Sequence, residues 1–132
     1  MRGSGVNGKR ILIAEDNPEE IAELKDALEA EGYEVLTARN GKEAVRLAAA
    51  CRPDLIILDV FMPDMSGGLV RLSLKDEEAT SEIPVIFLSH LFSEKEIAGQ
   101  DIMFGDGPRF GKPCELDKVL SAVEAMIGAG AV

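Results

Sequence analysis

The segment Leu55-Ile56-Ile57-Leu58-Asp59 decides the fold, because four consecutive apolar residues end abruptly at a carboxylate. A short run that is apolar at every position predicts a strand buried on both faces of a sheet. Similar runs occur at residues 11–14 and 85–88, and segments with helical spacing of apolar residues lie between them. This alternation is typical of βαβ units. The sequence therefore predicts an α/β domain with a five-stranded, parallel, doubly wound sheet covered by helices on both faces.

The first helix is predicted from a capping signal followed by an apolar stripe. Asn17 is the expected N-cap, Pro18 the first helical residue and Glu20 the reciprocal capping partner. Gly32 is expected to end the helix. The apolar stripe consists of Ile21, Leu24 and Leu28.

The remaining elements are predicted from shorter apolar runs and from the turn residues between them. The further strands are predicted over 34–37, 55–58 and 85–88, with an edge strand over 108–110. A turn at Asn40-Gly41 precedes a helix that closes before Pro53, and further helices are predicted near 68–76 and over about 94–104. The last helix has one apolar face, formed by Leu116, Val119, Leu120, Val123 and Ile127.

The composition favours one globular domain with an acidic surface. The 132 residues are 46% hydrophobic and 29% charged, and 24 acidic residues against 14 basic ones give a net charge of −10. Such a surface repels phosphate backbones, so we expect no direct binding of nucleic acid. No apolar run approaches the roughly 20 residues that cross a bilayer, so we expect no membrane association. Cys51 and Cys114 lie far apart, which favours reduced thiols in a cytoplasmic protein.

The domain is expected to span residues 9–127. Residues 1–8 contain no apolar segment and are interpreted as an expression scar or a flexible lead-in. Residues 128–132 are interpreted as a tail or as the start of a linker. The sequence leaves open whether the chain is a stand-alone protein or one domain of a longer one.

Polar residues follow the predicted strands at the points where they end. Glu15 and Asp16 follow the first strand, Asp59 the third and Ser89 the fourth, and Lys112 comes after the fifth. Because ligands bind beyond the carboxyl ends of parallel strands, these groups are expected to converge at one edge of the sheet. Crowded carboxylates without histidine or cysteine favour Mg²⁺. The added hydroxyl and ammonium groups indicate a site for a phosphoryl group, with one carboxylate as the nucleophile.

At these residues the chain resembles the receiver domain of two-component response regulators, of the kind found in chemotaxis regulators, over about residues 9–127. The resemblance implies the flavodoxin-like strand order 2-1-3-4-5. The matching motifs are the acid pair Glu15-Asp16, the run Asp59-Val60-Phe61-Met62-Pro63-Asp64-Met65-Ser66-Gly67, Ser89 after a strand, and Lys112-Pro113.

The resemblance implies a signalling role and not an enzymatic one, although the domain would assist its own phosphorylation and dephosphorylation. Asp59 would accept a phosphoryl group from a histidine kinase or a histidine phosphotransfer protein. Mg²⁺ would be held by Glu15, Asp16, Asp59 and the backbone carbonyl of Phe61. The phosphorylated domain would then control an output domain or a target protein.

The resemblance also implies how the domain switches. Lys112 and Ser89 would contact the phosphoryl oxygens, with Ser89 moving inward as the switch. The family usually has Tyr or Phe three residues before the lysine, whereas this chain has Arg109 there and Phe110 next. A register shift near residue 108 would place Phe110 in the role of that aromatic residue. The position after Ser89 is usually small, but here it is occupied by His90.

The positions that control water access in the family are apolar in this chain. Phe61 and Leu91 would flank the path of the hydrolytic water, and His90 adds bulk beside them. Excluding a water from the in-line position raises the barrier to hydrolysis. We therefore expect slow loss of the phosphoryl group, and faster loss when Phe61 becomes Asn and Leu91 becomes Glu.

Three other functions are alternatives for the same predicted fold. A degenerate receiver would serve only as a protein-interaction module, but it would not need the acidic and basic residues present here. A flavodoxin-like cofactor binder would need a phosphate-binding loop rich in Ser, Thr and Gly after the first strand, where this chain has two acids. An aspartate-nucleophile phosphatase would need a second acid two residues after Asp59, where Phe61 stands.

Overall fold

The fold consists of a five-stranded sheet with helices on both faces. The computed structural model describes residues 9–60, 62, 64–65, 67–89, 109–111 and 115–128. The strands are β1 (Arg10–Ala14), β2 (Glu34–Ala38), β3 (Leu55–Asp59), β4 (Val85–Ser89) and β5 (Arg109–Gly111). The described helices are α1 (Pro18–Ala30), α2 (Gly41–Cys51), α3 (Gly67–Lys75) and α4 (Leu116–Ile127). None of these helices combines the length and apolar character that crossing a bilayer requires.

All the strand pairs are parallel, and the strand order is β2-β1-β3-β4-β5. The predicted fold class and strand order are therefore confirmed. The register places Ala14 beside Leu58, and Asp59 beside Leu88 on β4. The first and third strands consequently end level with each other. The residues that follow β1 lie beside the end of β3.

Two apolar cores cover the two faces of the sheet, as the uniformly apolar strands predict. Alternate strand residues face opposite sides, because side chains of a strand alternate between the faces. The first core packs under α2 and α3 and contains Leu12, Ala14, Ala38, Ala44, Ala48, Ile56, Leu58, Val60, Val70, Leu74, Val85 and Phe87. The second packs under α1 and α4 and contains Ile11, Ile13, Leu24, Leu28, Tyr33, Val35, Leu55, Ile57, Ile86, Leu88, Val119 and Val123.

The predicted N-cap of the first helix is confirmed, whereas the reciprocal capping contact of the Glu20 side chain stays a prediction. The side-chain oxygen of Asn17 accepts hydrogen bonds from the backbone N–H groups of Glu19 at 2.9 Å and Glu20 at 3.1 Å. The expected turn at Asn40-Gly41 is wrong in detail, since Gly41 is the first residue of α2. Asn40 is the N-cap of that helix because its side chain accepts a hydrogen bond from Glu43 N at 2.8 Å.

Two further predictions concern the end of the sheet near β5. The edge strand runs over Arg109–Gly111, one residue later than predicted, because its pairing with β4 begins at Phe87 beside Arg109. The helix predicted over 94–104 lies outside the described residues, as does Cys114. Cys51 is a free thiol of intermediate exposure at the end of α2.

Arg10 joins three elements at the edge of the sheet where the strands begin. Its Nε donates to Glu34 Oε1 at 3.2 Å, and its Nη1 donates to the carbonyl oxygen of Cys51 at 2.8 Å. A cation at the carboxyl end of a helix also interacts favourably with the helix dipole. Arg10→Met is expected to lower the free energy of unfolding by about 1–2 kcal/mol, as measured by urea denaturation.

Arg46→Met is the matched control for Arg10→Met. The Arg46 side chain is 69% exposed and pairs with Glu43 at 3.7 Å within one helix. Exposed pairs of this kind contribute roughly 0.3–0.5 kcal/mol, so this control should change stability little. If both variants lost the same free energy of unfolding, a structural role for the Arg10 contacts would be contradicted.

Candidate functional site

Three carboxylates meet where β1 and β3 end. One carboxylate oxygen each from Glu15, Asp16 and Asp59 lies within 4.8 Å of the other two. Glu15 and Asp59 are buried, at 1% and 5% exposure, whereas Asp16 is exposed. The structure therefore brings together the three acids that the sequence predicts to converge. The cluster therefore combines two buried carboxylates with one exposed carboxylate.

Backbone contacts hold the two buried members of the cluster in place. Glu15 N donates to the carbonyl oxygen of Ala38 at 3.0 Å, which prolongs the pairing of β1 with β2. The carboxylate of Glu15 accepts a hydrogen bond from the backbone N–H of Asn17 at 3.1 Å. Asp59 is the last residue of β3, and Val60 N donates to the carbonyl oxygen of Leu88 at 2.9 Å directly after it. The backbone at both acids is therefore fixed by hydrogen bonds that prolong the sheet.

The chemistry of the cluster fits a small divalent cation. Three carboxylates this close repel one another, and a cation between them removes the repulsion. All three offer hard oxygen ligands, which Mg²⁺ prefers. Mg²⁺ held by a few carboxylates keeps several water ligands, and phosphate oxygens can replace them.

The loop after β3 is attached to the beginning of α2. The carboxylate of Asp64 accepts from Gly41 N at 2.7 Å and from Lys42 N at 2.9 Å. These two hydrogen bonds hold the pKa of the Asp64 carboxyl below its ordinary value of 3.8. Their contribution to stability is complete above that value and is lost as the pH falls through the lower pKa of the folded protein. The carboxylate is therefore charged at neutral pH.

The Asp64 contact was not predicted from the sequence. It joins residues 23 positions apart, and the motif containing Asp64 gives no local signal of its partner. Asn40-Gly41 indicates a turn or a helix start. It gives no sign that a carboxylate from another loop also accepts hydrogen bonds from the first backbone N–H groups of that helix.

Several predicted site residues lie outside the part of the chain that the structure describes, namely Phe61, His90, Leu91 and Lys112. The backbones of β4 and β5 nevertheless place Ser89 beside Gly111, the residue before Lys112. The ends of four of the strands thus lie at the same edge of the sheet. The proposed phosphoryl contacts of Ser89 and Lys112 stay predictions.

Two of the three predicted switch residues, Phe110 and Arg109, lie on β5. Phe110 pairs with Leu88, and its partly buried side chain packs against the core under α1 and α4. Arg109 pairs with Phe87 in the same register. The part of either residue in a conformational switch stays a prediction.

This fold and this acidic cluster define a class of signalling domain. The chain belongs to the response regulator receiver domain family, whose model matches residues 11–124. It is 34% identical over 120 residues to the polar-differentiation response regulator DivK of Brucella anthropi, covering 91% of this chain and 97% of that protein. The predicted family is confirmed.

Solved receiver domains have the same architecture. The signal receiver domain of a signal transduction histidine kinase from Syntrophus aciditrophicus is 38% identical, with a TM-score of 0.79 over 91% of this chain and 90% of that one. The receiver domain of a sensor histidine kinase from Pseudomonas aeruginosa is 26% identical, with a TM-score of 0.81 over 92% of this chain and 98% of that one. That second structure has a magnesium ion coordinated in its active-site cleft.

Proposed function

We propose that this receiver domain accepts a phosphoryl group on Asp59 in a Mg²⁺-dependent reaction. The observation that carries the proposal is the convergence of Glu15, Asp16 and Asp59 within 4.8 Å where β1 and β3 end. The Pseudomonas receiver domain, in whose cleft a magnesium ion is coordinated, supports the choice of metal. Bound Mg²⁺ would neutralise charge on the phosphoryl oxygens and on the cluster during transfer.

Asp59 is the best placed of the three acids to act as the nucleophile. It ends β3, the central strand of the sheet, and pairs with Leu88 on β4. Ser89 is the next residue on β4, and Lys112 follows the end of β5, so both would lie on the side of Asp59 away from β1. Glu15 and Asp16 lie on the β1 side. Transfer onto Asp59 would therefore place the phosphoryl group between the metal ligands and the two groups proposed to contact it.

The rest of the proposed function concerns signalling. The phosphoryl donor would be a histidine kinase or a histidine phosphotransfer protein, and the family membership supports this class of partner. Phosphorylation would draw Ser89 and Lys112 towards the new oxygens, with Phe110 or Arg109 following. The changed face would control an output domain or a target protein in the cytoplasm. The domain would act as a signalling element that assists its own phosphorylation and dephosphorylation.

A phosphoryl mimic tests the proposal directly. Beryllofluoride should bind the wild-type protein at one site per chain when Mg²⁺ is present, and calorimetry should detect no binding without Mg²⁺. In parallel, a small-molecule phosphodonor with Mg²⁺ should add one phosphate by intact mass. Failure of both reactions in excess Mg²⁺ would contradict the proposal and would favour a receiver that serves only as a protein-interaction module.

A further inference from the structure

The beginning of α2 is fastened to the loop that follows the candidate phosphoacceptor. Both oxygens of the Asp64 carboxylate are used, with Oδ1 accepting from Gly41 N at 2.7 Å and Oδ2 accepting from Lys42 N at 2.9 Å. Such charge-assisted hydrogen bonds are stronger than neutral ones, and two acceptors on one group fix its orientation. We call the contacts of Asp64 and Met65 with Gly41 and Lys42 the α2 clasp.

The second part of the clasp is close packing of Met65 over Gly41. A Cβ atom at residue 41 would overlap Met65 Cγ and would lie 2.7 Å from its Sδ and 3.1 Å from Val70 Cγ2. The absence of a side chain at Gly41 therefore lets the loop lie directly against the helix. Met65 also packs against the core under α2 and α3. The loop is thus held by two polar contacts and by a close apolar contact.

The same short stretch of chain, residues 38–42, also contacts the other part of the acidic cluster. Ala38 accepts a hydrogen bond from Glu15 N at 3.0 Å. The Nη2 of Arg39 donates to the carbonyl oxygen of Asp16 at 3.4 Å. Residues 38–42 therefore connect the segment that carries Glu15 and Asp16 to the loop that follows Asp59.

We propose that Asp64 is a positioning residue for Mg²⁺, acting through the α2 clasp on the loop that follows Asp59. This inference rests on the proposed function, because it concerns the same metal site. Mg²⁺ requires nearly ideal octahedral geometry, so small displacements of its ligands reduce affinity. The clasp joins this loop to the segment of Glu15 and Asp16, and it would fix the spacing of ligands on two separate parts of the chain.

Three variants distinguish the effect of the Asp64 hydrogen bonds on Mg²⁺ affinity from the effect of its charge. Asp64→Ala removes both acceptors, whereas Asp64→Asn removes the same charge but keeps one acceptor oxygen. Gly41→Ala leaves the charge unchanged and displaces Met65. Groups that orient metal ligands typically contribute 10- to 100-fold in affinity. We expect Asp64→Ala and Gly41→Ala to raise the Kd for Mg²⁺ about tenfold, and Asp64→Asn to raise it less.

The matched control is Asp54→Asn at the opposite end of the sheet. Asp54 Oδ2 accepts from Arg10 N at 2.7 Å, so this variant removes one charge and alters one contact of the same kind. Calorimetric titration of Mg²⁺ at about 0.15 M ionic strength screens distant charges. Asp54→Asn should leave the Kd within about twofold of the wild-type value. Urea denaturation without Mg²⁺ supplies the stability of each variant.

A purely structural role for the clasp predicts a different pattern. In that case the clasp variants lose stability without Mg²⁺ but keep the wild-type Kd, and such a loss is expected for Gly41→Ala because a Cβ there overlaps Met65. Wild-type Kd values in Asp64→Ala and Gly41→Ala, or an equal rise in Asp54→Asn, would overturn the inference. Those outcomes would leave the phosphorylation of Asp59 intact. A wild-type protein that binds Mg²⁺ but takes no phosphate would contradict the proposed function and not the clasp.

Discussion

Phosphorylation of this domain is expected to stop when Asp59 is changed to Asn. Transfer forms a bond between a carboxylate oxygen and phosphorus, while the bond to the donor breaks and the leaving group departs with its electron pair. The amide of Asn has nearly the same shape but no anionic oxygen to attack. The rate of phosphate uptake should fall at least about a thousandfold, which intact mass spectrometry would register as no added phosphate.

The variant is informative because other acids lie close enough to compete. Oxygens of Asp16 and Glu15 are within 4.8 Å of an Asp59 oxygen, and Asp16 is exposed. The control is Asp76→Asn, an exposed aspartate after α3, which removes the same charge and should keep the wild-type rate. If the Asp59→Asn protein still gains one phosphate at the wild-type rate, peptide mapping would identify the true acceptor, and the assignment of Asp59 would be wrong.

Much of the fold could be predicted because its signals are local. The four apolar residues before Asp59 indicate a strand covered on both faces, and Asn17 followed by Pro18 indicates a helix start. The acidic cluster could be predicted as well, although its members are distant in sequence. Parallel strands place their carboxyl ends at one edge, so Asp16 and Asp59 must meet once the strand order is known.

The features that could not be predicted depend on tertiary contacts. Asn40-Gly41 suits both a turn and a helix cap, and only the position of α2 decides between them. The three-residue strand β5 contains too few residues to fix its register, which follows from its pairing with β4. The contact of Asp64 with Gly41 joins a loop to the first residue of α2, and their relative position depends on the packing of α2 against α3.

Removing the charges of Glu15 and Asp16 together should abolish the stabilisation of the folded protein by Mg²⁺. Without metal, the wild-type protein contains three carboxylates within 4.8 Å, and two of them are buried. Glu15→Gln with Asp16→Asn leaves a single charge there and preserves the acceptor oxygen for Asn17 N. We expect the double variant to be about 1–2 kcal/mol more stable than the wild type without metal, because functional sites are often maintained at a cost in stability.

With Mg²⁺ the order of stability should change. A ligand that binds only the folded state stabilises the wild type by about 2.7 kcal/mol at 100 times its Kd, whereas the double variant should gain nothing. Urea denaturation of both proteins across a series of Mg²⁺ concentrations would show the two stabilities crossing, and the double variant should also take up no phosphate. The exposed pair Glu77→Gln with Glu78→Gln removes the same charge outside the cluster and should leave the Mg²⁺ response unchanged. If Mg²⁺ stabilised the wild type and the Glu15–Asp16 variant equally, the metal would bind elsewhere, because the proposed site requires those two carboxylates.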